Sequence, residues 1–220
     1  MLKGLFVAFV CLTSTSLLAS QADNPDIREV LVFGTKEQKE KLPGSGTHIG
    51  PSRLAKQDYS DLNEVLSSAP GVYVREEDAF GLRPNIGIRG ATSDRSQKIT
   101  LMEDGVLITP APYSAPAAYY ITNASRLYSV EVLKGPSAIQ AGPHTVGGAV
   151  NLITRPVPTQ DINEVELTTG TDSFHKVAGS AGRVNDSFGF LLSALSYGRE
   201  GFKQLDGGGA IPGLFGMISI

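Results

Sequence analysis

The hydrophobic pattern changes texture several times along this chain. Residues 4–19 form an almost unbroken apolar run, GLFVAFVCLTSTSLLA. A shorter burst, IREVLVFG at 27–34, stands alone between polar stretches. The charged segment TKEQKEKLPGSG at 35–46 reads as disordered. A helix is expected within 49–69, with an N-cap at Ser60-Asp61, apolar Val65 and Leu66, and a stop at Pro70-Gly71. Alternation then predicts strands at 72–75, 86–90, 98–102 and 106–109, the last pair joined by the turn Glu103-Asp104-Gly105. A short helix is expected over 121–128, leading into VEVLKGPSAIQAGPHTVGGAVNLITRP at 130–156. That stretch is two strands joined by a connector, with glycines at 142, 147 and 148, which suggests backbone packed close to backbone.

Beyond Pro156-Val157-Pro158 the rhythm changes again. Segments 164–170, 174–182 and 188–197 are separated by turn chemistry at 171–173 and 183–187. In the third, Phe188, Phe190, Leu192 and Ala194 share one face of a strand. Strands of this length and texture carry the signature of a transmembrane β-barrel. A soluble β-meander would carry the same pattern.

Composition sharpens this outline. The 220 residues include 25 Gly and 13 Pro, no Trp and 7% aromatic residues, a turn-rich composition of short strands. The formal charge of −3 argues against a broad nucleic-acid footprint. Residues 1–22 read as a secretory signal peptide, with Lys3 ahead of the apolar run and Ser20-Gln21-Ala22 at the cleavage site. A short membrane anchor is the alternative. The single Cys11 follows Val10 rather than a small residue and leaves with the signal. The remaining chain, with 18 basic against 22 acidic residues, then carries −4 and no cysteine. No apolar run of 18 residues follows, so any membrane crossing must use β-strands.

Catalytic patterns are missing from the sequence. It holds no G-x-S-x-G and no P-loop, and His48, His144 and His175 are isolated. The glycines of 44–50 have the wrong spacing for a dinucleotide fingerprint. Neither an enzyme nor a cofactor site is expected. The isolated strand at 27–34 suits a peptide that adds itself to a partner sheet; an N-terminal strand of the next domain is the plainer reading.

Four motifs, in order, carry a resemblance. They are DLNEVLSSAPGVYV at 61–74, IGIRG at 86–90 with KITLMEDGV at 98–106, VEVLKGP at 130–136 and VGGAVNLITRP at 146–156. From about residue 27 to 200 the chain resembles the N-terminal part of a TonB-dependent outer-membrane receptor, most like the ferric dicitrate type. The resemblance implies an α+β plug domain with a small mixed sheet, followed by a few antiparallel strands of an incomplete transmembrane β-barrel. The expected division is signal peptide 1–22, TonB box and linker 23–46, plug 47–156, first barrel strands 157–209 and an aberrant tail 210–220.

The same resemblance implies partners and sites. Ile27, Arg28, Glu29, Val30, Leu31, Val32, Phe33 and Gly34 stand in the place of the TonB box, which pairs with TonB of the inner-membrane energy-transducing complex. Arg89 and Lys134 fall where plug cations face acidic barrel residues, a latch that force could break; plug-internal bonds are an equally good reading. Loops 76–85 and 110–120 should face the ligand. Arg83, Arg95, Tyr113 and Tyr119 are the candidates there, because an iron–citrate complex is anionic and Arg presents a planar fork to carboxylates. The transported ligand would be a ferric chelate and the location the outer membrane.

A plugged barrel needs about 22 strands, and the sequence offers about three. The tail AIPGLFGMISI has no charge and no alternation suited to an extracellular loop, and reads like an interrupted frame or a gene fragment. Two readings follow: the N-terminal part of an iron-chelate importer, or a truncated periplasmic plug module that binds TonB without transporting.

Overall fold

The structure is a computed structural model, and it describes residues 44–77, 81–108, 120–142, 144–204 and 210–217. The candidates at 27–34, Tyr113 and Tyr119 lie outside the described residues.

Two sheets organise the chain. The first has five strands: β1 (Ser45–Ile49), β4 (Ile99–Glu103), β5 (Val106–Leu107), β6 (Leu127–Lys134) and β7 (Gly148–Thr154), in the order β1-β6-β7-β4-β5. It is mixed, because β4 and β7 run parallel while the other neighbours are antiparallel. A separate hairpin pairs β2 (Val72–Arg75) with β3 (Asn85–Ile88). Two short helices, α1 (Pro51–Gln57) and α2 (Leu62–Ser67), precede it.

Burial follows from the apolar spacing. Leu62, Val65 and Leu66 of α2 are buried in one core with Ile49, Ile86, Ile88, Leu101, Val130, Val132, Val150 and Leu152. Asp61 caps α2, its carboxylate accepting from the Asn63 N–H at 2.7 Å. The helix expected within 49–69 behind the Ser60-Asp61 cap is α2, and α1 is an additional helix before it, closed where Asp58 enters the left-handed region (φ 44°) and its N–H donates to the Leu54 carbonyl at 2.8 Å.

The IRG motif also departs from expectation. The strand stops at Ile88, and Arg89 and Gly90 form a left-handed turn (φ 51° and 84°). The helix expected over 121–128 shrinks to a 3₁₀ turn at Ala124–Arg126, capped by the Asn123 side chain on the Ser125 N–H. From Leu127 the backbone is taken up by pairing with β7 instead. The Glu103-Asp104-Gly105 turn has a second task. Asp104 accepts from the Thr154 N–H at 2.8 Å and from its hydroxyl at 2.6 Å, clamping the end of β7.

The second sheet is fully antiparallel. Its strands are β8 (Ile162–Thr169), β9 (His175–Val184), β10 (Gly189–Gln204) and β11 (Ala210–Met217), in the order β11-β10-β9-β8. Residues 210–217 of the stretch read from sequence as an aberrant tail therefore pair as a fourth strand along β10. Likewise Ser45 and Gly46, read as the end of a tether, belong to β1. The described strands form no closed barrel.

This sheet is apolar on its outer face. Val165, Leu167 and Val177 are exposed beside one another, and Phe188, Phe190 and Leu192 continue the same face. The opposite face carries Lys176, Leu195 and Tyr197, all buried against the first unit.

Candidate functional site

Three groupings bear on function. The first is a corner built by the β2–β3 hairpin. Asn85 is 2% exposed, and its amide donates to the carbonyls of Arg75 (3.2 Å) and Arg83 (3.5 Å). Its Oδ1 accepts the Arg95 N–H at 2.8 Å. Beside it the buried Ser96 hydroxyl accepts from the Ile86 N–H and donates to the Pro84 carbonyl, both at 2.9 Å. Arg83 and Arg95, separated by a strand in sequence, are thereby tied to one buried amide. Both side chains are exposed, and among the described residues no ion pair engages either. Arg75 stands beside them, paired with Glu77 (3.6 Å) and Asp94 (3.7 Å).

The second grouping is Arg89 with Lys134. Lys134 is 3% exposed, and its ammonium donates to the Thr47 hydroxyl at 2.7 Å and the Pro70 carbonyl at 2.8 Å. These are bonds within the first unit. Burial, and then the Arg89 charge, hold its pKa below the ordinary 10.5. No acid pairs with either cation among the described residues.

That shift fixes a pH dependence. With the folded pKa below the unfolded one, the folded chain releases the proton first. Stability then rises as pH climbs toward 10.5, and the charge is most costly near neutrality. Lys134→Met should flatten this rise. Urea midpoints of both proteins from pH 7 to 10.5 check it, and equal slopes would contradict it.

The third grouping is the seam between the two units. Arg155 ties the end of β7 to β8 through Glu164 at 2.7 Å and reaches Ser180 of β9 at 3.5 Å. The Asn123 amide donates to the Tyr197 hydroxyl at 3.3 Å. Lys176 lies 2.5 Å from Glu166 and 3.5 Å from Asp58. A shallow open cleft runs along this seam, lined by Ser125, Arg126, Glu164 and Ser193 among others.

Sequence reasoning missed the seam. Its one signal was Lys176, which shares a strand face with Ala178 and Ser180, opposite Val177. Asp58 gave no signal because its partner Lys176 lies 118 residues away, and Asn85 gave none because its side chain bonds backbone on both sides of its own strand.

The family model of the TonB-dependent receptor plug domain matches residues 38–149, just over half of the chain. The chain belongs to this family. The first five-stranded unit is therefore the plug, and a four-stranded antiparallel sheet follows it. The vitamin B12 transporter BtuB of Photobacterium profundum is 25% identical over 203 residues, covering 92% of this chain. The chain spans about a third of that relative's length, 32%. Among solved structures, the unliganded ferric citrate transporter FecA superposes with a TM-score of 0.59 at 24% identity, covering 74% of this chain and 27% of that one. The ferric yersiniabactin uptake receptor FyuA from Yersinia pestis gives 0.62 at 18% identity, covering 80% and 28%. These two likenesses establish the fold. Family membership makes this a receptor plug domain.

Proposed function

We propose that this chain is the plug and first wall strands of an outer-membrane importer for an iron chelate, coupled to TonB through residues 27–34. One observation carries the reading: the second sheet turns its apolar side outward and its charged side onto the plug. A soluble sheet buries the apolar side, whereas a wall in lipid exposes it. Under this reading signal peptide, TonB segment, plug and wall follow one another in the chain, and closing the wall takes further strands.

The ligand we propose is an anionic ferric chelate of the dicitrate kind, met at the Arg83–Arg95 corner. Two arginines outside any ion pair among the described residues, their backbones tied to one buried amide, suit a polycarboxylate. A second reading, a cobalamin, is favoured by the B12 transporters among the sequence relatives. Arg89 and Lys134 lack an acid in the described residues, which supports a role for them as plug cations awaiting acidic wall residues.

Titration of the full chain in detergent micelles tests the ligand. Ferric dicitrate should bind, and Arg83→Ala with Arg95→Ala should weaken it about tenfold or more, as expected for charge-assisted bonds of ~1.5–3 kcal/mol. Binding of cyanocobalamin alone would establish the second reading instead. The coupling segment is tested separately: Val30→Cys or Val32→Cys should cross-link to a cysteine-bearing TonB, as strand addition requires. Absence of any adduct at both positions would remove the assignment.

A further inference from the structure

We infer that Lys176 is a shared-cation latch: it holds the α1 end of the plug through Asp58 and retains Glu166 as its counter-ion when Asp58 lets go. The latch needs the plug against the wall but no particular ligand. Lys176 is 3% exposed on β9, facing the plug. Its ammonium lies 2.5 Å from Glu166 on the neighbouring strand β8 and 3.5 Å from Asp58 at the end of α1. The contact inside the wall is thus the shorter, and the contact across the seam the longer. A buried ammonium stripped of every acid is strongly unfavourable, while one that keeps a carboxylate is not. Glu166 removes that obstacle, so Asp58 can depart at little cost. Its own carboxylate is already 58% exposed and ready to be hydrated.

The segment that Asp58 closes is the plug's weakly held end. β1 lies on the edge of its sheet, paired with β6 on one side. No residue of α1 is buried. Its other ties include an exposed bond from Arg53 to the Ser68 carbonyl and the Lys134 bond to Thr47. The other end of the plug is held differently. Arg155 reaches both β8 and β9 by its side chain while its own N–H donates to the Arg126 carbonyl, and Asp104 clamps its neighbour Thr154. One end of the plug is fixed to the wall, and the other is clasped by a cation with a partner to spare.

The test is a double-mutant cycle on the full chain in detergent micelles, read by amide hydrogen exchange and thermal midpoint. Asp58→Asn removes the charge, and Asn tolerates the left-handed conformation of this position. It should raise exchange over residues 45–57 about fivefold, as for a partly exposed ion pair, and leave β6, β7 and the thermal midpoint unchanged. Glu166→Gln alone should change little, because Asp58 remains. The double variant leaves Lys176 without either acid, so its midpoint should fall by several degrees more than the singles together. Failure of the double variant to fold, when both singles fold, would be the same coupling in stronger form. Additive effects would overturn the latch. So would unchanged exchange at 45–57 in Asp58→Asn, or loss of the whole fold from that change alone.

Discussion

Gly148→Ala is expected to destabilise the plug by about 3 kcal/mol, the sum of a conformational penalty of ~1 kcal/mol and an overpacking cost of ~1–3 kcal/mol. Gly148 opens β7 with φ at 153°, which L side chains rarely adopt. A Cβ there would overlap the Leu133 carbonyl of β6 and come within 2.9 Å of the Ile88 Cδ1. The carbonyl is backbone in a paired strand, so it cannot swing aside without opening the ladder that carries Val132 opposite Val150. Gly147 supplies the control. A Cβ at that position meets its neighbours at 3.1–3.3 Å, which small shifts can relieve. Urea unfolding should therefore rank Gly148→Ala well below Gly147→Ala. Equal losses would show that close packing at β6–β7 is not what selects the glycine. A domain stable by ~5–15 kcal/mol would feel the change as partial unfolding in the cell.

Asn85→Ala should injure the arginine corner and the fold together. The substitution leaves a partly buried Arg95 N–H without its acceptor and removes the donor to the Arg75 and Arg83 carbonyls. A buried donor left unsatisfied costs about 1–3 kcal/mol. More telling is the expected split between readouts. Asn85→Asp keeps the acceptor for Arg95 but sets a buried carboxylate oxygen against the Arg75 and Arg83 carbonyls, so it should cost at least as much stability as Ala. Both variants should weaken ferric dicitrate, since Arg83 and Arg95 no longer share one anchor. Ligand binding unchanged in Asn85→Ala, with stability reduced, would separate the corner from the ligand site and refute that part of the function.

Much of the fold is legible in the sequence because its signals are local. Asp61 capping α2, the Glu103-Asp104-Gly105 turn and the glycines before β7 each act on neighbours in sequence. The departures are also local in origin. Nothing in residues 49–69 announces the left-handed break at Asp58, and Thr122-Asn123-Ala124 reads equally as a cap for a helix or for a single turn. The tail at 210–217 shows another limit. A strand can be selected by the edge it pairs with, here β10, even when its own alternation is poor.

The sequence by itself determined the order of motifs, the mixed α+β unit and the apolar-alternating strands after Pro158. These are properties of spacing, and spacing survives without knowing what touches what. Tertiary structure alone decided which charges meet. The Arg83 and Arg95 backbones are tied to one amide because Asn85 bonds both, and Lys176 finds Asp58 across 118 residues of chain. An ion pair depends on distance and burial, and neither is written in a strand's alternation. So the sequence named the plug, but only the packed chain disclosed which side chains hold it to its wall.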